Sequence, residues 1–353
     1  RLLITAGDGE NVMQSALELD SCEGEGEFAV PNRTILDAVK ELPEQPLNFD
    51  IDTQSFAIKI VYQNGLYNFT AQNAEEYPRM QPVEDGATTM TMDAAVLVDN
   101  ISRSLFATAQ DELRPVMNGI YFDLTPDALA IVASDGHKLV RNKNFNIKSE
   151  TPAAFILPKK PASLLKNVLS KDGGEVIVKF NDRSAEMRFS DGVLYCRLIE
   201  ERNAVFTLES YRMVCRLIEG RYPNYNSVIP QDNPNRVTID RRALLGALRR
   251  VLPFASESSQ LVRFHVESGR MELSGEDIDF ATSAKEQVTC EYSGQPMSIG
   301  FKGGSMQEIL SSLESDEVVI ELADPSRAGT VMPSQQPENE DVLMLLMPML
   351  LND

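Results

Sequence analysis

The sequence predicts an α+β protein in which one structural unit is used three times. Three observations predict it. A strand–turn–strand phrase recurs as Leu3-Ile4-Thr5-Ala6-Gly7-Asp8-Gly9-Glu10-Asn11-Val12, as Ala130-Ile131-Val132-Ala133-Ser134-Asp135-Gly136-His137-Lys138-Leu139-Val140 and as Met271-Glu272-Leu273-Ser274-Gly275-Glu276-Asp277-Ile278-Asp279-Phe280. In each, an apolar run ends in small and acidic residues that favour turns. An amphipathic helix then enters at Pro31, Pro158 and Phe301. The length of 353 residues suits two or three domains of roughly 150 residues.

Taken in order, Pro31–Leu42 carries apolar residues at 35, 38, 39 and 42, one helix face, and Pro43 stops it. Leu47–Ile51 and Phe56–Ile60 alternate as strands, and Gln63-Asn64-Gly65 turns the chain into Leu66–Thr70. In the second round Asp93 caps a helix with Leu97, Ile101 and Leu105 inward. Strands around Ile120–Phe122 and Ala128–Val132, a second helix over Leu157–Leu169, and strands at Glu175–Phe180 and Ala185–Phe189 follow. The third round has Asp240 capping Arg241–Leu252, strands at Val262–Val266 and Arg270–Ser274, a helix near Ser305–Leu313, and strands Val318–Leu322 and Val342–Met347. Alternating strands need one face covered, and the two helices of each unit supply the cover.

The two intervals between the second helices disagree. A tandem duplication accounts for the excess: Asp182–Glu200 is followed by a second copy, Glu201–Glu219, both ending Cys-Arg-Leu-Ile-Glu. Removing one copy brings the intervals close together. The expectation is that one copy pairs in the sheet and the other bulges out, since both carry the same edge pattern. The domains are predicted at 1–83, 84–230 (with the duplication 182–200/201–219) and 231–353.

The formal net charge is −20, which argues against broad adhesion to nucleic acid. It leaves room for a local basic surface, so distribution matters more than the sum. Cys22, Cys196, Cys215 and Cys290 show no CxxC spacing, and the only histidines are His137 and His265. Reduced thiols in a cytoplasm, and no metal or other cofactor, are expected. No apolar run reaches the roughly 20 residues of a membrane helix. Arg1 opens the chain inside a strand pattern, so the first unit is expected to lack its opening strands and first helix.

Ser134-Asp135-Gly136-His137-Lys138-Leu139, Gly220-Arg221-Tyr222-Pro223-Asn224-Tyr225 and the tail Leu346-Met347-Pro348-Met349 resemble the bacterial DNA polymerase III beta subunits, the sliding clamps. The resemblance covers essentially the whole chain and matches the threefold repeat. It implies a ring-forming fold of three clamp domains, each with two helices on antiparallel sheets. Two subunits would join head to tail, with helices lining a hole that duplex DNA passes through. An acidic exterior with a modest basic lining suits such topological holding.

The same resemblance implies a pocket for an apolar partner peptide, formed by Ser134, Gly136, His137, Lys138, Leu139, Pro223, Val228, Met347, Pro348 and Met349. Methionines suit a surface that accepts several related ligands. Leu350-Leu351-Asn352-Asp353 departs from the family's basic tail, and Ser227 stands where some relatives carry a basic residue. The implied clients are the polymerase III alpha subunit, the clamp loader, repair polymerases and ligase-type enzymes. Arg103, Lys159, Lys160, Arg242, Arg249 and Arg250, with Lys166, lie on helices expected to face DNA. Tyr67 and Phe69 on a first-domain edge strand, opposite Phe254, are the expected subunit contact.

Catalysis is not expected. Asp135-Gly136-His137 lacks a positioned Ser or Cys, and no Gly-rich phosphate loop or HExxH occurs. The rival reading is an acidic three-repeat protein-interaction scaffold that does not encircle DNA.

Overall fold

Asp93 and Asp240 start helices where the sequence predicts them, because each carboxylate accepts the first orphan N–H groups of its helix. In the computed structural model Asp93 accepts from Ala95 and Val96, and Asp240 from Ala243 at 2.7 Å. The structure describes residues 1–8, 11–43, 45–77, 87–111, 113–169, 174–181, 184–189, 192–196, 203–207 and 211–351. The expected first domain boundary at 83 and the tail residues Asn352 and Asp353 lie outside them. The helices are α1 (Asn32–Val39), α2 (Ala94–Leu105), α3 (Lys159–Leu169), α4 (Arg241–Val251) and α5 (Gly303–Ser312).

The chain divides into two compact units, the first made chiefly of residues 17–81. It contains α1 and a three-stranded sheet in the order Asn48–Ile51, Ala57–Tyr62, Gly65–Thr70. Tyr62 pairs with Gly65, so the expected turn at Gln63-Asn64-Gly65 has Gln63 and Asn64 as its loop. Ile58, Ile60 and Ala71 form its core, with Tyr67 and Phe69 packed against them.

The second unit holds residues 3–16 and 82–353. Its eight-stranded sheet runs Leu2–Gly7, Asn11–Leu17, Gly192–Cys196, Ser184–Phe189, Tyr211–Arg216, Asn203–Thr207, Glu175–Phe180, Thr88–Asp93. Its twelve-stranded sheet joins the second and third repeats through one antiparallel seam, Lys138–Asn144 against Glu340–Leu346. Alternation decides what each side of that seam buries. Val140, Val342, Met344 and Leu346 face the core beneath the helices, with Leu244, Leu248, Phe264 and Phe301. Leu139, Leu343 and Leu345 face the opposite side, with Tyr222, Tyr225 and Ile229. Each such side chain, fully buried, stabilises the fold by about 1.5–3 kcal/mol.

Strands of both copies of the duplication carry pairings in the eight-stranded sheet: Ser184–Phe189 and Gly192–Cys196 from the first, and Asn203–Thr207 and Tyr211–Arg216 from the second. They do so in equivalent registers. Cys196 and Cys215 both stand opposite Asn11, and Ala185 and Ala204 both stand opposite Cys215. Identical edge patterns compete for identical partners, so the two copies share one set of pairing positions. Residues 182, 183, 190, 191, 197–202 and 208–210 of the duplication lie outside the described residues.

Candidate functional site

The Ser134–Leu139 turn is fixed by its own polar side chains. Asp135 Oδ1 accepts the N–H groups of His137 and Lys138, each at 2.9 Å. Ser134 Oγ donates to the Lys138 carbonyl at 2.9 Å and accepts from Gly136 N at 3.1 Å. Gly136 has φ +89°, and a Cβ there would lie 2.7 Å from Arg114 Nη1. The conformation therefore favours glycine, and the Arg114 guanidinium would have to move aside for any side chain there.

The tail is stitched to this turn. His137 O accepts Met347 N at 2.8 Å, and Gly300 O accepts Met349 N at 2.8 Å. Met347 is 41% exposed, and Pro348 and Met349 are half-buried. Beside them Leu139 is buried, Tyr222 stacks on Tyr121 at 4.6 Å, and the Tyr225 hydroxyl donates to Asp123 at 2.8 Å. Burial pushes the Tyr222 and Tyr225 hydroxyls far above their ordinary range, so both stay protonated. Pro223, Val228 and His137 are exposed around this floor, and Ser134 is buried beneath the turn.

Lys138 corrects the expected set. Its ammonium turns away from Leu139 toward the helices, 3.2 Å from Asp135 and 3.1 Å from Glu308 on α5, over the Phe106 ring. Burial opposes its charge, but the two carboxylates outweigh burial and raise its pKa. It ties the turn to the third repeat. Sequence reasoning missed Arg114, Val116, Tyr222 and Tyr225; the tyrosines flank Pro223, and that spacing was the available signal. Val116 Cγ1 lies 2.6 Å from where a Cβ on Gly220 would stand, as Arg114 does over Gly136.

Helices α2 to α5 form a contiguous layer, with α3 on α2, α2 on α5 and α5 on α4. Arg242 and Arg249 are exposed on α4, Lys166 is exposed on α3, and Lys159 is half-buried. Lys160 pairs with Asp8, and Arg250 chelates Glu286 through Nε at 2.8 and 2.9 Å. Arg103 is the second correction. It is 9% exposed and donates to Glu340 at 2.9 Å, so it holds α2 to the final strand and is not offered to DNA. Asn100 joins the same carboxylate at 3.2 Å. Arg241, which opens α4, donates to the Leu310 and Ser315 carbonyls at the end of α5.

Tyr67 and Phe69 are half-buried against the core of the first unit, and their strand Gly65–Thr70 pairs only with Ala57–Tyr62 among the described strands. Phe254 is exposed. Among the described residues no cluster of three or more potential metal ligands occurs, and no helix is long and apolar enough to cross a membrane.

Comparison with known proteins decides the family. Models of the DNA polymerase III beta subunit match in order: the N-terminal domain at residues 1–81, the central domain at 91–224 and the C-terminal domain at 226–350. The chain belongs to the DNA polymerase III beta subunit family. Its function is that of a beta sliding clamp, the non-catalytic processivity factor of the polymerase. The N-terminal-domain model is matched from residue 1, so it gives no support to the expected loss of opening elements. The beta sliding clamp of Pseudomonas aeruginosa is 27% identical over 354 residues, 99% of this chain and 89% of that one. That of Synechococcus elongatus is 26% identical over 324 residues, 91% of this chain and 81% of that one. The Thermotoga maritima beta subunit structure superposes with a TM-score of 0.84 at 25% identity, covering 99% of this chain and 88% of that one. A Pseudomonas aeruginosa sliding clamp structure gives a TM-score of 0.87 at 22% identity, covering 99% of this chain and 89% of that one.

Proposed function

We propose that two copies of this clamp close head to tail around duplex DNA in the cytoplasm, and that the face around Leu139 takes an apolar peptide from its clients. The clients are the polymerase III alpha subunit, the clamp loader, repair polymerases and ligase-type enzymes. The domains divide at 1–83, 84–230 and 231–353. The observation that carries the peptide site is the pair of backbone bonds from Met347 to His137 and from Met349 to Gly300. They hold an apolar tail open beside a buried aromatic floor, which is the make-up of a hot-spot pocket. Ser134, Gly136, His137, Leu139, Pro223, Val228, Met347, Pro348 and Met349 form it, with Arg114 at its rim.

The head-to-tail contact is supported by the repeat. Inside the chain, adjacent repeats join by pairing one strand after the turn with the other's last strand: Lys138–Asn144 with Glu340–Leu346, and Asn11–Leu17 with Tyr211–Arg216. The third repeat's equivalent strand, Thr282–Glu291, pairs over residues 282–289 only with Arg270–Asp277 among the described strands. The first repeat's last long strand, Gly65–Thr70, also pairs along one edge only among the described strands. Open edges of this kind are templates for pairing with another chain. Duplex DNA would meet the α4 face through Arg242 and Arg249.

The peptide site is tested by fluorescence anisotropy of a labelled Gln-Leu-x-Leu-Phe peptide against the wild type and a His137→Ala, Met349→Ala variant. Saturable binding lost in the variant is expected. Equal binding by both, or none by the folded wild type, rejects the site.

A further inference from the structure

In the third repeat, the strand that follows the turn runs on until it meets the strand leading into α4: Thr238 pairs with Glu291 and Ile239 with Cys290. The second repeat leaves this closure open. Its strand after the turn, Lys138–Asn144, ends in a bend, where Asn144 Oδ1 accepts Asn146 N at 3.0 Å and Phe145 N donates to the Asn339 carbonyl at 2.9 Å. The chain is thereby drawn toward the third repeat. The strand leading into α2, Thr88–Asp93, pairs only with Glu175–Phe180 among the described strands. Between the two segments lies a cavity of about 470 Å³, lined by Thr91 and Met92 from one and by Asn144 and Ile147 from the other. Ligand sites commonly enclose roughly 300–1,000 Å³.

One backbone bond fixes which main-chain groups face the cavity. Ala94 N donates to the Gly174 carbonyl at 2.7 Å, toward the neighbouring strand. Bonded and unbonded pairs alternate along an antiparallel ladder. Met92 therefore also bonds that neighbour, and Thr91 turns its N–H and C=O to the open edge. Asn144 adds a side-chain donor: it is 6% exposed, its Oδ1 is held by Asn146, and its Nδ2 bonds none of the described residues. Side chains alternate as well. Met92 is buried, with Val96 and Ile147 half-buried beside the same space, while Asp93 and Glu175 face each other across the ladder and are exposed at the rim. Among the described residues, no Lys or Arg lines the cavity.

We propose that this open edge is a second docking site, and that its occupant is an extended, basic segment of a partner protein that adds as a strand antiparallel to Thr88–Asp93. Strand addition supplies the bonds that Thr91 and Asn144 leave unmade. The alternation sets the sequence the site selects: an apolar side chain over Met92, flanked by Lys or Arg beside Asp93 and Glu175. Charge decides the occupant. The two rim carboxylates meet no cation of their own lining, and a second copy of this chain, at −20, is repelled as duplex DNA is. The site stands apart from the face around Leu139. It lies at the other end of Lys138–Asn144, about 20 Å away by the rise of seven strand residues.

Fluorescence anisotropy of the full chain with a labelled Thr-Val-Lys-Val-Lys-Thr peptide tests this, with Thr-Val-Glu-Val-Glu-Thr as control. The variants are Thr91→Pro and Glu175→Lys, each checked for native circular dichroism. Proline is tolerated on an edge strand where its missing N–H would face outward, and Glu175→Lys, at an exposed position, keeps the test if Thr91→Pro unfolds. The wild type is expected to bind the basic peptide saturably and not the acidic one. Thr91→Pro should weaken binding by roughly tenfold, and Glu175→Lys by about fivefold. The His137→Ala, Met349→Ala variant should bind as the wild type does. No binding by the folded wild type overturns the site. Full affinity in Thr91→Pro overturns strand addition, and full affinity in Glu175→Lys leaves only general attraction of a basic peptide to an acidic chain and overturns the site. Displacement of the probe by an unlabelled Gln-Leu-x-Leu-Phe peptide assigns it to the Leu139 face and overturns a second site. A wild-type dimer in sedimentation velocity that Thr91→Pro dissociates puts a second copy on this edge and overturns the basic occupant.

Discussion

The His137 carbonyl accepts the Met347 N–H at 2.8 Å, so the conformation of the turn sets where the tail methionines stand. That bond joins the second repeat to the third at the edge of the apolar face. It makes the proposed peptide site a property of two repeats and not of either one.

Gly136→Ala tests the coupling. The substitution forces a side chain into φ +89° and toward Arg114, at a cost of about 1 kcal/mol. The turn then relaxes and carries the His137 carbonyl with it. Peptide affinity is expected to fall about tenfold, the equivalent of about 1.4 kcal/mol, with a small drop in melting temperature. Anisotropy and thermal unfolding on the same samples separate the two effects; unchanged affinity would show that the tail does not depend on the turn.

Arg103 and Glu340 form a pair with 11% and 9% of their side chains exposed. Removing one partner leaves a buried charge, so Arg103→Met should destabilise the chain by about 3 kcal/mol. Adding Glu340→Gln should recover much of it. The salt dependence of retention on nicked circular duplex should not change in the double variant. In contrast, Arg242→Gln with Arg249→Gln should lower the slope of log affinity against log salt, by about 0.9 for each phosphate no longer neutralised. A double Arg103/Glu340 variant that releases DNA would return Arg103 to the DNA-facing group.

How much of this was legible in the sequence depends on what each residue's role requires. The helices capped by Asp93 and Asp240 and the strand alternation were readable, because caps and periodicity are local. That the Ser134–Leu139 turn and the tail belong together was signalled only through the family resemblance, and the bond from Met347 to His137 joins them. Arg103 and Lys138 were not readable correctly. A cation on an amphipathic helix or after a turn looks the same whether it meets phosphate, a peptide or a carboxylate, and Glu340 and Glu308 lie far off in sequence.

Asp135 gives the fold a pH dependence whose sign can be worked out. Burial alone would raise its pKa, but the His137 and Lys138 N–H groups and the Lys138 ammonium outweigh burial and lower it below the ordinary 3.8. A carboxyl lowered in the folded state stabilises that state above its unfolded pKa, and the contribution is lost as pH falls through the folded value. Asp135→Asn should therefore lower the melting temperature at neutral pH and leave a smaller difference from wild type as pH falls below about 4. A gap that stays constant down to acid pH would mean the carboxylate charge is not what the turn uses.

The duplication yields the prediction that most directly tests how register specifies this sheet. Without the first copy, the remaining strands still connect: Glu175–Phe180 pairs with Asn203–Thr207, that strand with Tyr211–Arg216, and that one with Asn11–Leu17. Nothing outside the first copy depends on it for a ladder partner along that path. Deleting Asp182–Glu200 should therefore leave the melting temperature unchanged or higher, because one slot then has one candidate strand in place of two. It should also leave peptide affinity intact, since the turn and tail lie in the other sheet. Loss of cooperative unfolding on deletion would show that the first copy is integral to the fold, and that the second cannot hold the sheet alone.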